Sequence, residues 1–208
     1  MVLQLSNKIY IWLIALACLV SFFSSFGSKL DLIEPIFFNK FLISFNQIQF
    51  YDFKTTYLIG NEWWRLITPM FIHFSPTHLI FNSLWIYILG REIEQLDGKI
   101  IFIFLILFTS ISSNYLQYSF SGTSLFGGLS GVVYGLLGYC FVSETFLRIN
   151  KFSFPPAIYI FMFVWLLIGF TGFLDLLGFG KIANFAHLGG LLSGILSGYI
   201  FSMYNKKT

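Results

Sequence analysis

The chain has 208 residues, 57% of them hydrophobic and only 10% charged, with 28 phenylalanines, a mean hydropathy of +0.79 and a formal net charge of +3. A water-soluble fold of this size cannot hide so much apolar surface, and cations scattered singly argue against a nucleic-acid partner. The expectation is an all-α, polytopic membrane protein forming a single domain over 1–208, with the lipid bilayer as its main partner.

The first apolar run, at about 9–26, follows Lys8. Within it, Ala15-Leu16-Ala17-Cys18 resembles a lipoprotein cleavage site. That site wants a branched apolar residue where Ala15 stands and a small one at Leu16, so a retained helix is expected. A connection of about 50 residues follows, from Gly27 to Thr77. It is too mixed to span, yet it carries Phe37-Phe38, Phe50-Tyr51 and Trp63-Trp64. Such composition predicts a partly helical segment lying in the outer interface as a flank to the bundle.

Further apolar runs occupy about 77–96, 100–118, 130–147, 157–173 and 182–204. Each approaches the ~20 residues that a spanning helix needs. Six spans put both termini on one side. With cytoplasmic termini, that side holds Lys8, Arg91, Lys99, Arg148, Lys151, Lys206 and Lys207, seven of the twelve cations. Four of the other five, Lys29, Lys40, Lys54 and Arg65, sit in the long connection, where charge weighs less on orientation; the fifth is Lys181. The positive-inside rule therefore favours cytoplasmic termini.

Small residues recur every fourth position in the last run, at Ala186, Gly190, Gly194 and Gly198, and the fourth run has Gly131, Gly135 and Gly138. Two helices with such faces can approach closely. Cys18 and Cys140 both fall inside apolar runs, where a small buried hydrophobe is the plain reading.

Polar residues inside an apolar bundle are costly, which directs attention to the histidines and to Ser130. His73, His78 and His187 all lie at or near the start of an even-numbered span, and Ser130 opens the fourth. Even-numbered spans begin in the same leaflet, so these groups share a depth. A serine and a histidine that meet form the minimum set for nucleophilic acyl transfer. His78 and Asn82 stand four apart on one helical face, and both can donate to an oxyanion, as can the amides that open the fourth span.

Taken singly, each residue has a plainer use. A membrane serine often bonds back to its own helix, and a histidine often ties helices together. Jointly, at one depth, they favour an active site, while spacing alone does not identify a peptidase. No metal site is expected. The His73–His78 spacing does not place both on one helical face, no Glu follows His73, and no carboxylate neighbours His187. Gly128-Leu129-Ser130-Gly131 lacks the second glycine of a nucleophile elbow and runs into an apolar helix, unlike a soluble α/β hydrolase.

From about Asn61 to Tyr199 the chain resembles the rhomboid intramembrane proteases, in their compact six-helix bacterial form. Trp64-Arg65 resembles the signature of the family's first loop, and His73 through Asn82 is similar to its HxxxxHxxxN block. Gly128-Leu129-Ser130-Gly131 is similar to GxSG, Ala186-His187-Leu188-Gly189-Gly190 to AHxxG, and Gly90 with Glu94 to the structural GxxxE. Pro69 stands where relatives often have a further histidine, and a first helix starting at residue 9 leaves no cytosolic domain before it.

The resemblance implies a serine endopeptidase that cuts transmembrane protein substrates without a cofactor, in a multi-pass protein of the bacterial inner membrane. Ser130 would be the nucleophile and His187 the general base, with His78, Asn82 and the Ser130 amide as oxyanion hole. Tyr134 would pack under the His187 imidazole, and Gly128 and His73 would be structural supports, His73 bonding the first loop. Substrate would enter laterally, with the loop Ser119 to Leu129 and a cap from Gly172 to Lys181 controlling water. The rival reading is a catalytically silent rhomboid-like protein that binds membrane clients. Silent relatives lose the serine or the histidine, and both are present here.

Overall fold

The computed structural model of the chain describes residues 8–45, 47–146, 151–176 and 182–205. It is mostly helical, and the helices are α1 (Ile9–Phe23), α2 (Leu30–Ile33), α3 (Pro76–Trp85), α4 (Arg91–Leu96), α5 (Gly98–Ser121), α6 (Ser130–Phe141), α7 (Pro156–Gly169), α8 (Phe173–Leu176) and α9 (Asn184–Asn205). A π-helical segment, Ile86–Gly90, joins α3 to α4, so the second expected span is one continuous rod; a second, Val142–Phe146, prolongs α6. Among the described residues, α5 alone is long and apolar enough to cross a bilayer by length and composition, and α1 and α7 are shorter apolar helices.

Several expected boundaries move for visible reasons. α1 stops before residue 26 because Ser25 and Phe26 take φ of 50° and 53°, outside the right-handed helical region. α5 continues through Ser121, so the loop expected from Ser119 begins at Gly122, whose φ of 66° ends the helix. α7 ends at Gly169, short of residue 173, in a turn through Thr171 and Gly172. Of the expected cap, residues 177–181 lie outside the described residues, as do Arg148, Lys181, Lys206 and Lys207 of the charge comparison.

The long connection is not purely helical. Phe41–Ser44 (β1) and Gln47–Phe50 (β2) form an antiparallel hairpin, with Phe41 opposite Phe50 and Ile43 opposite Ile48. The period-two placement of Phe41, Ile43, Ile48 and Phe50 puts these four side chains on one face. The base of that face enters a cluster with Ile33, Phe37 and Ile72.

Arg65 organises the rest of this connection. Its guanidinium is buried, and it donates to Glu62 Oε2 at 2.5 Å, to Glu34 Oε1 at 3.0 Å and to the carbonyls of Phe37 (3.0 Å) and Glu34. Its five donors in a planar fork suit this task, which a lysine cannot copy. Glu62 also holds Lys40 at 3.1 Å, and Trp64 Nε1 donates to the Pro35 carbonyl. Burial raises the Glu62 pKa, but the bonds from Arg65 and Lys40 outweigh it and hold the carboxyl below its usual range.

α5 ties this scaffold to the bundle through a polar stripe. Asn114 Nδ2 donates to the Leu66 carbonyl at 2.8 Å, and Ser110 Oγ to the Ile67 carbonyl at 3.2 Å. At the opposite end, Glu94 accepts the Ile9 and Tyr10 amides at 3.0 Å each, capping α1. Gly90 lies where a Cβ would meet the Phe102 ring at 2.9 Å. Lys151 pairs with Asp97 at this same end, which gathers the start of α1, the α4–α5 turn and the connection before α7.

α6 and α9 pack most closely of all. A Cβ on Gly190 would overlap the Gly131 carbonyl, and one on Gly194 the Gly135 carbonyl. The two small-residue faces read from the sequence therefore meet each other, backbone against backbone.

Candidate active site

Ser130 is the first residue of α6, and His187 lies within the first turn of α9. The glycine crossing brings their helices together at matching height. His187 Nε2 and Ser130 Oγ are 2.8 Å apart, and both residues are buried. Tyr134, one turn after Ser130, stacks on the imidazole with ring centres 4.7 Å apart and planes 28° from parallel. Its hydroxyl donates to the Met162 carbonyl at 3.0 Å, which fixes the ring against α7. His187 Nδ1 is buried without a hydrogen-bond partner, so no carboxylate orients this imidazole among the described residues.

The helix start that carries His187 is pinned from α5. Gln117 Oε1 accepts the Ala186 amide at 3.0 Å, an amide that also donates to the Ala183 carbonyl at 2.9 Å, so the donor is shared between α5 and the start of α9. Ala186 and Gly190 thus set the height and closeness of α9.

His78 and Asn82 face Gly128 on the other side of Ser130. A Cβ at Gly128 would meet His78 Nε2 at 2.9 Å and Asn82 Nδ2 at 3.5 Å, and its φ of 116° also requires glycine. Ser75 caps α3 by accepting the His78 amide at 3.2 Å, which starts the helix where both side chains turn inward. Asn82 is buried, and its Nδ2 has no partner. His78, Asn82, Gly127, Ser130 and His187 line one cavity of about 40 Å³, larger than the roughly 10–15 Å³ that one water requires.

The segment before Ser130 is held in place by the connection after α1. His73 Nε2 accepts the Leu129 amide at 3.3 Å, while Nδ1 lies 3.2 Å from the Phe71 carbonyl. Those two bonds are met together by the neutral tautomer with its proton on Nδ1. Burial and the nearby His78 push the His73 pKa down to about 3. The Gly128 amide donates to the Pro69 carbonyl at 3.0 Å, so Pro69 supports the serine loop through its backbone. His73 thus bonds the serine segment as well as its own connection. Trp64 and Arg65 stay within that connection, outside the cavity.

Sequence reasoning missed Gln117 and the cavity walls. Gln117 belongs to a polar run at helical spacing, Thr109, Ser110, Ser113, Asn114 and Gln117, a pattern legible inside an apolar span. The side toward α7 is lined by the stacked rings of Phe81 and Trp165 (5.2 Å, 23°), and outside the cavity lining Trp85 stacks on Phe161 between the same two helices (6.3 Å, 26°). Nothing in a span rich in aromatics marked these four beforehand. The described residues hold no cluster of metal-ligating side chains.

The family model described as Rhomboid domain matches residues 60–204. The chain is 39% identical over 136 residues to "Rhomboid protease GlpG" of Serratia proteamaculans (strain 568), covering 65% of this chain and 47% of that protein. It is 37% identical, over the same shares, to proteins of that name from Yersinia pseudotuberculosis serotype I (strain IP32953) and Yersinia pestis (strain Pestoides F). The match thus spans about half the length of these relatives.

Proposed function

The chain belongs to the rhomboid family, and from that premise we propose that it is an intramembrane serine endopeptidase acting through Ser130 and His187. The observation that carries this reading is the 2.8 Å contact between Ser130 Oγ and His187 Nε2, made across two helices inside a buried cavity.

In the reaction, Nε2 takes the Ser130 proton as Oγ attacks the scissile carbonyl carbon. The imidazolium so formed sits on the face of Tyr134, whose ring quadrupole stabilises it by about 0.5–2 kcal/mol. This replaces part of what a buried carboxylate does in a triad. The carbonyl oxygen becomes an oxyanion, which accepts from Asn82 Nδ2, His78 and the Ser130 amide. The carbon–nitrogen bond then breaks, the imidazolium returns its proton to the leaving amine, and Ser130 is left acylated. Water attacks that ester by the same proton route and frees the acid.

The substrates are transmembrane segments of other proteins, entering from the lipid side by parting the Phe81–Trp165 and Trp85–Phe161 stacks. The spans are those of the six apolar runs, making one rhomboid unit of the whole chain, multi-pass in the bacterial inner membrane with cytoplasmic termini. Lys8 and Lys151, cations at the end opposite the dyad, support that orientation. Gly122 to Leu129, with the expected cap from Gly172 to Lys181, controls the entry of water. No cofactor takes part.

Cleavage of a tagged single-pass substrate by purified protein in lipid, beside Ser130→Ala and His187→Ala, tests the reading. The parent should cut and both variants should not. A folded, bilayer-embedded parent inert toward several substrates would instead make the chain a client-binding relative.

A further inference from the structure

A second, larger cavity, open on its outer side, lies between α6, α7 and α9. Its volume is about 430 Å³, and it is lined by Leu137 and Phe141 of α6, Ile160 and Phe163 of α7, and Leu191 and Ile195 of α9. That volume falls within the roughly 300–1,000 Å³ of small-molecule sites. We propose that this cavity binds one acyl chain of a membrane lipid, taken from the leaflet opposite the Ser130–His187 pair. The proposal depends on the chain being embedded in a bilayer and not on its being a protease.

Depth is the first argument. Leu137 and Phe141 follow Ser130 by seven and eleven residues on one helix, which places them roughly 10–17 Å below it at the helical rise. Leu191 and Ile195 descend in parallel from His187. The cavity therefore runs from Tyr134, under the His187 ring, down toward the end of the bundle away from the dyad, where it reaches the depth of the other leaflet's hydrocarbon.

Chemistry is the second. The six residues named are all apolar, and a cavity so lined stays dry, which leaves hydrocarbon as the matching occupant. The hydroxyl of Tyr159, whose ring also lines the cavity, donates to Glu144 Oε2. The polar rim thus lies toward the end that a headgroup would occupy.

Continuity with the lipid-facing surface is the third. Ile160 and Phe163 line the cavity and are themselves 65% and 56% exposed, while Leu192 and Leu196, beside Leu191 and Ile195, are 54% and 51% exposed. The cavity is the inward extension of a surface that bilayer chains already cover. α7 touches α6 and α9 far less than those two touch each other, which leaves room for the chain.

The test uses the purified full chain in phosphatidylethanolamine vesicles doped with a phospholipid that carries a diazirine midway along one acyl chain. After photolysis, adducts are mapped by mass spectrometry. Leu137 is only 4% exposed, so annular lipid cannot reach it, whereas Ile103 and Phe104 of α5 are 42% and 43% exposed and report annular lipid. Adducts are expected on Leu137 in the parent, falling about tenfold in Ile195→Trp and in the surface variant Ile160→Trp, with labelling of α5 unchanged. The surface variant guards against a misfolded core variant, and labelling needs no catalysis. Adducts confined to α5 and other exposed residues would overturn the proposal. So would protection of Leu137 by excess single-pass peptide with lipid constant, since the occupant would then be a protein segment.

Discussion

Gly190 and Gly131 touch through backbone alone: a single Cβ on Gly190 would overlap the Gly131 carbonyl. One residue from Gly131 is Ser130, and three residues from Gly190 is His187. The contact between two glycines thus sets the 2.8 Å separation of two groups that could not otherwise meet. Gly190→Val should push the helices apart, costing about 1–3 kcal/mol by overpacking and abolishing cleavage. Thermal unfolding and cleavage rate, measured together, check this; a stable and fully active Gly190→Val would show that the crossing tolerates side chains.

Asn82 separates function from stability. Its buried Nδ2 has no partner, a condition that costs about 1–3 kcal/mol, and oxyanion donors are worth about 10²–10³-fold in kcat. Asn82→Leu should therefore leave thermal stability unchanged or higher while kcat drops by roughly two orders of magnitude. A variant that unfolds and loses activity in proportion would assign Asn82 to packing.

Tyr134 offers a graded test. Tyr134→Phe keeps the ring against His187 and loses only the bond to the Met162 carbonyl, so activity should fall by less than about tenfold for the ~1 kcal/mol of one hydrogen bond. Tyr134→Leu removes the ring face under the imidazolium and should cost markedly more in kcat than in KM. Equal effects of the two substitutions would refute the stacking role.

Arg65 lies outside the cavity yet carries the connection that supports it. Arg65→Ala leaves Glu62 and Glu34 without their buried partner, a change worth about 3–5 kcal/mol. Lower thermal stability is expected, with reduced activity that recovers on cooling. A loss of activity at full stability would point to a direct catalytic part instead.

Acid should act through His73. Its folded pKa is about 3 against an ordinary value near 6.5, so the unfolded chain binds the extra proton. The stability it contributes is present above about pH 6.5 and is lost progressively as pH falls toward 3. At pH 5 the loss amounts to about 2 kcal/mol. His73→Gln should show a shallower fall in melting temperature between pH 7 and pH 5 than the parent, and an unchanged slope would remove His73 from the account.

Much of this was legible in order along the chain. The apolar runs set the helices to within a few residues, because a bilayer demands length and hydropathy from local sequence alone. Ser130, His187, His78 and Asn82 stood out because polar groups are rare inside such runs. The hairpin at Phe41–Phe50 was missed although its period-two pattern was present, since the bulk of apolar residues around it suggested an interfacial helix.

What the sequence determined by itself was periodicity and position along the helices: which faces are small, which polar groups stand at or near a helix start, where helices begin. Only the tertiary structure decided contacts between segments distant in sequence. These include Gln117 meeting the Ala186 amide, His73 meeting the Leu129 amide, the aromatic wall between α3 and α7, and the apolar cavity beneath Tyr134. The physical reason is that helix formation and membrane insertion are read residue by residue, whereas lateral packing depends on rotations and crossings that no single helix specifies. Two glycines can mark where helices approach; the angle at which they do so, and hence what lies on either side, belongs to the whole bundle.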